Sequence, residues 1–420
     1  MSTLPNDRII IIGAGCFGAS TAYHLLKRGF TDVTILDRSP QLPAPDAASN
    51  DFNRIVRSSY ADLFYTRLAR DAIQAWKDGE WGDTYHESGV VVLGISDNQA
   101  YADEAYQNDL AEGVQLKPLS NAEAIRGVFS SHVPIAGFDK NSGYLNVDGG
   151  WANAGQGLSM MISKVTSLGG KILPGKKVIN IARDNGSVRH VQCDDGTVYD
   201  ASLVVIATGS WTPSNFPGLI SRQKYGLATG QCVAMVQLTD EEAKIYKDIP
   251  VVLDFGTGFY IFPPTESGIV KMAIHSAGYT HTTDGVSTPR TITTDPERGL
   301  LIPKSNVQLL RKYLREVYPK LAEKPFSATR LCWYNDSPDG NWIIGGDPED
   351  SSVVLATAGS GHAYKFLPII GRLVADAIEG KLEPSVANKF AVERQYTSVD
   401  ESRRDMVVAE LDLNDLYNLE

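Results

Sequence analysis

Three glycines and one acid set the first chemical expectation. In Arg8-Ile-Ile-Ile-Ile-Gly-Ala-Gly-Cys-Phe-Gly18, Gly13, Gly15 and Gly18 have G-x-G-x-x-G spacing. Gly13 allows a tight turn, Gly15 lets a pyrophosphate approach the backbone, and Gly18 lets helix and strand pack closely. Asp37, about 20 residues on, offers a carboxylate to an adenosine ribose. The chemistry implied is dinucleotide binding. Arg54 and Arg57, three apart, read by default as a solvated pair on one helix face. Cys332, in Leu331-Cys-Trp-Tyr334, is either a small buried hydrophobe or a nucleophile; the second role needs a thiolate, which a cationic neighbour favours. Lys271 follows Gly268-Ile-Val270 in a strand-like run, where a lysine ordinarily points to solvent. A second glycine-rich turn, Gly359-Ser-Gly-His-Ala-Tyr-Lys365, aims backbone N–H groups at whatever anion lies before it.

These residues need particular elements to hold them. Ile9–Ile12 reads as a strand buried on both faces, as in a parallel sheet. A helix is expected over 19–28, its N-terminus facing the phosphates, then an apolar strand, Val33–Leu36. Residues 40–50, rich in Pro, Ala and Ser, read as a loop over the cofactor. Helical spacing of Leu63, Leu68, Ala72, Ile73 and Trp76 predicts a helix over 62–77. Strand-like runs follow at Val90–Leu93, 171–178, 203–207, Val251–Asp254, 259–262 and Ile269–Ile274. A hairpin is expected at Asp194-Asp195-Gly196, and charged helices over 100–130 read as a cap. Further helices are expected from Gly149-Gly150-Trp151 through about Thr166, over 306–318, and after the Gly359 turn through Ala377.

The fold class expected is mixed α/β (α+β): a Rossmann-type dinucleotide domain built from discontinuous segments, with an antiparallel-sheet substrate domain and covering helices. The first domain is assigned 1–85, 145–225 and 325–385, the second 86–144 and 226–324, with 386–420 as a tail. A chain of 420 residues needs no disulfide staples to bury its core. Its net charge of −11 argues against nucleic acid or an anionic membrane as partner. Cys16, Cys193, Cys232 and Cys332 show no metal-ligand spacing and suit a reducing compartment. No run approaches the length of a membrane span, and no secretory signal opens the chain. The C-terminal Tyr-Asn-Leu-Glu is not of the Ser-Lys-Leu type. A cytoplasmic protein is expected, or a peroxisomal one if the native end differs.

In this order of motifs the chain resembles the FAD-dependent D-amino-acid-oxidase superfamily. Within it, the likeness is to the monomeric sarcosine oxidase, pipecolate (saccharopine) oxidase and fructosyl amino acid oxidase group. Val204-Val-Ile-Ala-Thr-Gly209 resembles the second flavin-binding strand, and Gly359–Lys365 the loop over the isoalloxazine pyrimidine. The resemblance implies FAD contacts from Gly13, Ala14, Gly15, Cys16, Phe17, Gly18, Asp37 and Arg38. It adds Ser49, Asn53, Arg54, Val178, Thr208, Gly209, Trp211, Gly359, Gly361, His362 and Lys365. It also implies an 8α-S-cysteinyl link through Cys332. Arg54 is implied over the flavin, Arg57 and Lys365 on the substrate carboxylate, and Tyr260 and Tyr334 beside the substrate. Lys271 falls where the family has a lysine that stabilises the anion formed from O2. His275 falls where sarcosine-type enzymes have histidine and fructosyl amino acid oxidases have an acid.

The resemblance therefore implies oxidation of the C–N bond of an N-alkyl or cyclic secondary amino acid, such as sarcosine, L-pipecolate or L-saccharopine, with O2 reduced to H2O2. A fructosyl amino acid, or an unusual amine in a biosynthetic tailoring reaction, is the alternative within the same chemistry. An NAD-dependent dehydrogenase would use the same first glycines but would have no need of Cys332. A flavin-bearing binding subunit would be yellow but release no peroxide. The protein is expected to act as a monomer on a small amino acid and O2.

Overall fold

The protein is described by a computed structural model covering residues 4–94, 99–184, 187–216, 226–396, 398–403 and 406–418; the terminal Leu419-Glu420 lies outside the described residues. Ile9–Ile12 sits in the middle of a six-stranded sheet, parallel on one side to Val33–Leu36 and on the other to Leu203–Ile206. Lys171–Leu173 and Val353–Thr357 extend it in parallel, and Ile343–Gly346 closes one edge antiparallel. All four isoleucines are at most 5% exposed. That is the burial a strand covered by helices on both faces requires.

The helix expected over 19–28 begins earlier, as Cys16–Lys27. Gly18 is therefore inside the helix: a Cβ there would lie 1.9 Å from the Gly13 carbonyl oxygen. The contact explains why the third glycine of the motif has no side chain.

The helix expected to open at Gly149 is corrected. Gly150–Ala152 is a strand, paired with Arg54–Val56 and Tyr85–His86. A Cβ on Gly150 would lie 1.9 Å from the His86 carbonyl oxygen, so this glycine serves close strand pairing. The helix starts at Ala154, where the Asn153 side chain accepts the Gln156 N–H at 3.1 Å, an ordinary N-cap. The run 171–178 divides between two sheets, Lys171–Leu173 in the large one and Val178–Asp184 in a three-stranded meander with Ser187–Cys193 and Val198–Asp200.

The second layer is a ten-stranded sheet centred on Leu227–Gln237, Ile269–Ile274 and Phe259–Ile261. Its pairings are mostly antiparallel, but Val251–Asp254 runs parallel to Val90–Leu93. Ala328–Asp336, in a segment assigned above to the dinucleotide domain, hydrogen-bonds in this sheet against Leu227–Gln237. Helix Lys304–Val317 packs Val307, Leu310, Leu314 and Val317 into the sheet's core. In strand Ile269–Ile274, Val270, Met272 and Ile274 belong to that core, which turns Lys271 and Ala273 to the opposite face. No helix among the described residues is long and apolar enough to cross a membrane.

Candidate active site

A cleft of about 1150 Å³ opens at the C-terminal ends of the parallel strands, where ligands of open α/β sheets bind. Gly13, Gly15, Cys16 and Phe17 line it. Gly15 caps helix Cys16–Lys27, and no side chain occupies the capping position. The helix dipole and the first-turn amides beyond Cys16 are thus left to the cleft. The Asp37 carboxylate accepts Ala14 N at 2.7 Å and Ser39 N at 2.8 Å, and Ser49 Oγ accepts Cys16 N at 2.9 Å. The Arg38 guanidinium lies 3.5 Å from the Trp211 ring centroid, forming a flat wall beside Val178, Thr208 and Gly209. Gly359 and Gly361 close the other end. Asn53 is fully buried with both side-chain polar atoms lacking a partner, and it does not line this cleft. The lining groups fit an elongated dinucleotide with a pyrophosphate at its middle.

A second cavity, of about 1300 Å³, shares Arg54, Tyr334, Ser360, Gly361 and Tyr364 with the first. The two meet there. Arg57, Tyr260, His275, His362 and Lys365 line only this second space. The helix-face reading of the two arginines is corrected: Arg54 opens a short strand and Arg57 follows it, 9% exposed. Arg57 Nη1 has no partner, while the guanidinium rests 4.7 Å from the Tyr60 ring and 5.1 Å from the Phe255 ring.

Lys365 is 5% exposed, on a single 3₁₀ turn, Tyr364–Phe366. Its Nζ donates to the Tyr60 oxygen at 2.5 Å and to the His362 carbonyl at 3.1 Å. His362 Nε2 donates to the Gly340 carbonyl at 2.9 Å, so Nδ1 accepts the Tyr60 hydroxyl at 3.2 Å. Burial, with Arg57 adding to it, pushes the Lys365 amine well below the lysine range. Burial and then Lys365 lower His362 to about 3. His275 hydrogen-bonds Ser402 Oγ at 2.9 Å, and burial, then Arg403 and Arg57, keep it neutral.

Lys271, expected by default to face solvent, is fully buried. Its Nζ donates to Asp51 Oδ2 at 2.9 Å and to the Asn53 carbonyl at 2.6 Å. Burial lowers its pKa to about 7, with Asp51 opposing and Arg54 adding to the fall. Arg54 also pairs with Asp51 and donates to the Ala48 carbonyl at 2.8 Å and to Cys332 Sγ at 3.4 Å. Cys332 is 1% exposed, two residues before Tyr334 on one strand, and hence on the same face.

Several site residues carried no local signal. Asp51 is a lone acid in a loop, and its two cationic partners include one 220 residues away in sequence. Tyr60, partner of Lys365, ends the stretch of Arg54 and Arg57 and drew no reading of its own, and Tyr101, hydrogen-bonded to Arg57, falls in the stretch read as a cap. Val399, Asp400 and Ser402 reach the second cavity from the segment read as a tail.

The family profile described as FAD dependent oxidoreductase (DAO) matches residues 8–377. The chain belongs to the DAO family of FAD-dependent oxidoreductases. Within the family it is 33% identical over 399 residues to the L-saccharopine oxidase of Schizosaccharomyces pombe, covering 89% of this chain and 90% of that protein. It is 27% identical to the peroxisomal sarcosine oxidase of Homo sapiens, covering 90% and 93%. Among solved structures, fructosamine oxidase (Amadoriase II) of Aspergillus fumigatus, in complex with FSA, superposes with a TM-score of 0.87 at 26% identity, covering 100% of this chain and 99% of that one. This chain is thus an FAD-dependent oxidoreductase of that family, and its two cavities meet at Arg54 and Tyr334.

Proposed function

We propose that this protein is an FAD-dependent oxidase of secondary amino acids, with a saccharopine- or pipecolate-like substrate bound by its carboxylate on Arg57 and Lys365. The observation that carries the reading is a buried pair of cationic side chains, one of them with an unpartnered guanidinium nitrogen, beside the flavin cleft. Two like charges in a dry cavity oppose each other, and an incoming carboxylate reverses that repulsion. Tyr60 and His362 hold Lys365 in place for it.

FAD, when bound, would supply the redox chemistry: acceptance of hydride from the carbon beside nitrogen and two-electron transfer to O2. The chain's own residues bind and orient. Arg57 and Lys365 fix the α-carbon, and the mutually hydrogen-bonded phenols of Tyr260 and Tyr334 frame the amine. Lys271 places a positive charge where O2 becomes an anion, a preorganised stabilisation of the kind that works best in a site closed to water. His275, neutral and not acidic, argues for a plain secondary amino acid over a fructosyl one. A panel of sarcosine, L-pipecolate, L-saccharopine and fructosyl-valine, followed by peroxide release, tests this. One of the first three is expected to give the highest kcat/KM; preference for fructosyl-valine overturns the choice.

Cys332 is the proposed point of covalent attachment, supported by its place on the Tyr334 face with Arg54 donating to its sulfur. Forming the C–S bond to the 8α-methyl carbon releases two protons and two electrons, which O2 accepts as H2O2. Acid precipitation is expected to leave the yellow colour in the pellet, and Cys332→Ser to release it to the supernatant. Colour wholly in the supernatant from the native protein contradicts the link. A monomer in the cytosol is part of the same proposal.

A further inference from the structure

The Asp51 carboxylate touches both cations of the oxygen side, and nothing above gives it a task. Its Oδ2 accepts Lys271 Nζ at 2.9 Å and also the Arg54 guanidinium; its Oδ1 accepts the Phe52 N–H at 2.8 Å. The side chains of Lys271 and Asp51 are 0% and 1% exposed, so water cannot take over for either partner. The other contacts of Lys271 are the Asn53 carbonyl at 2.6 Å and the Phe262 ring at 4.8 Å, neither of which carries a full charge.

The titratable groups facing Lys271 come from two neighbouring segments: Asp51 and Arg54 from the loop and strand before it, and Cys332 from strand Ala328–Asp336. Arg330 of that strand acts on Asp51 and pins the same loop through the Asn50 and Ala47 carbonyls at 2.7 and 2.8 Å. Asp51 is the carboxylate of the group. Burial alone would raise its pKa, but Arg54, then Lys271 and Arg330, hold it well below the carboxylate range. At neutral pH it is a carboxylate.

We propose that Asp51 is a positioning residue of the oxygen half-reaction, holding Lys271 Nζ in place and favouring the charged form of that amine. This rests on the reading of Lys271 as the oxygen-site lysine. A lysine with no counter-ion in a dry site gives up its proton. With Asp51 present the fall stops at about 7. Without it, burial and the like-charged Arg54 act in the same direction. A neutral amine then offers no charge to the anion forming from O2. Bound flavin adds its own field equally to parent and variant, so their difference belongs to Asp51.

The test uses the flavin-loaded enzyme and the variants Asp51→Asn, Asp51→Glu and Lys271→Met. Two observables are followed against pH: the rate at which O2 reoxidises the reduced enzyme, and the visible absorption band of the oxidised flavin, which senses a charge changing beside it. The lysine is charged below its pKa, so the parent reoxidises fast at low pH and slows as pH rises through a break shared by both observables. Asp51→Asn is expected to move that break to lower pH by about 1–3 units, the effect of an opposite charge at contact distance. Asp51→Glu is expected to restore it towards the parent, and Lys271→Met to abolish it. Asp51→Ser, which removes the charge with a smaller side chain, gives the same displacement if the Asn variant does not load flavin. An unmoved break in the uncharged Asp51 variants, with the break lost in Lys271→Met, overturns the role of Asp51 alone. An unaltered break and rate in Lys271→Met overturns the reading of Lys271 itself.

Discussion

Lys271→Met is expected to keep anaerobic reduction of the flavin by substrate close to the parental rate while slowing reoxidation by O2 about 10²–10³-fold, the scale lost when one preorganised electrostatic group is removed from a transition state. The asymmetry follows from where charge develops. On the proposed reading hydride leaves the substrate carbon in the cavity that Arg57 and Lys365 line, whereas Lys271 is sealed with Asp51 and Asn53. Electron transfer to O2 builds a negative charge that a nearby ammonium stabilises. Methionine has nearly the same length and no charge, so it fills the space without supplying the field. Stopped-flow traces of the two half-reactions measured separately decide the matter. An unchanged reoxidation rate refutes the assignment, even for a working oxidase.

The second large effect belongs to Arg57→Ala. Removing one partner of a buried, charge-assisted contact costs about 2–5 kcal/mol, and kcat/KM is expected to fall at least tenfold, with Lys365 left as the remaining grip. Because Arg57 also rests on Tyr60 and Phe255, part of any loss is packing. The methyl ester of the substrate separates the two: the parent should discriminate strongly against the ester, and Arg57→Ala should lose most of that preference. Equal oxidation of ester and free acid by the parent rules the carboxylate grip out.

The elements that declare themselves locally were legible from sequence. Ile9–Ile12, Val33–Leu36, Val90–Leu93 and Ile269–Ile274 read as strands because short runs rich in β-branched residues and bounded by turns favour that reading. The glycine spacing and Asp37 carried the expectation of a dinucleotide, and Gly13, Gly15 and Asp37 line the first cleft. Gly150–Ala152 was misread because its strand exists only through partners near residues 54 and 86. The glycines that admit this pairing look, in one dimension, like a helix start. Lys271 was read from a family likeness, and its local default, a solvent-facing side chain, was wrong. What buries it is an ion pair with Asp51 spanning 220 residues. The same holds for Ser402, brought from a segment that looked like a tail to within 2.9 Å of His275. Periodicity reports which face of an element is apolar. It does not report which distant loop supplies the counter-charge.

An FAD-dependent oxidase of secondary amino acids moves two electrons from its substrate to O2, and both halves of that transfer can be watched in one experiment. Flavin-loaded enzyme is mixed with the best substrate of the panel in the absence of oxygen, the visible flavin band is followed, air is admitted and peroxide is counted. Full bleaching without oxygen, recovery of the band on aeration, and one H2O2 released for each enzyme-bound flavin reoxidised are expected. A band that stays unbleached with every secondary amino acid offered, or that recovers without peroxide, contradicts this function.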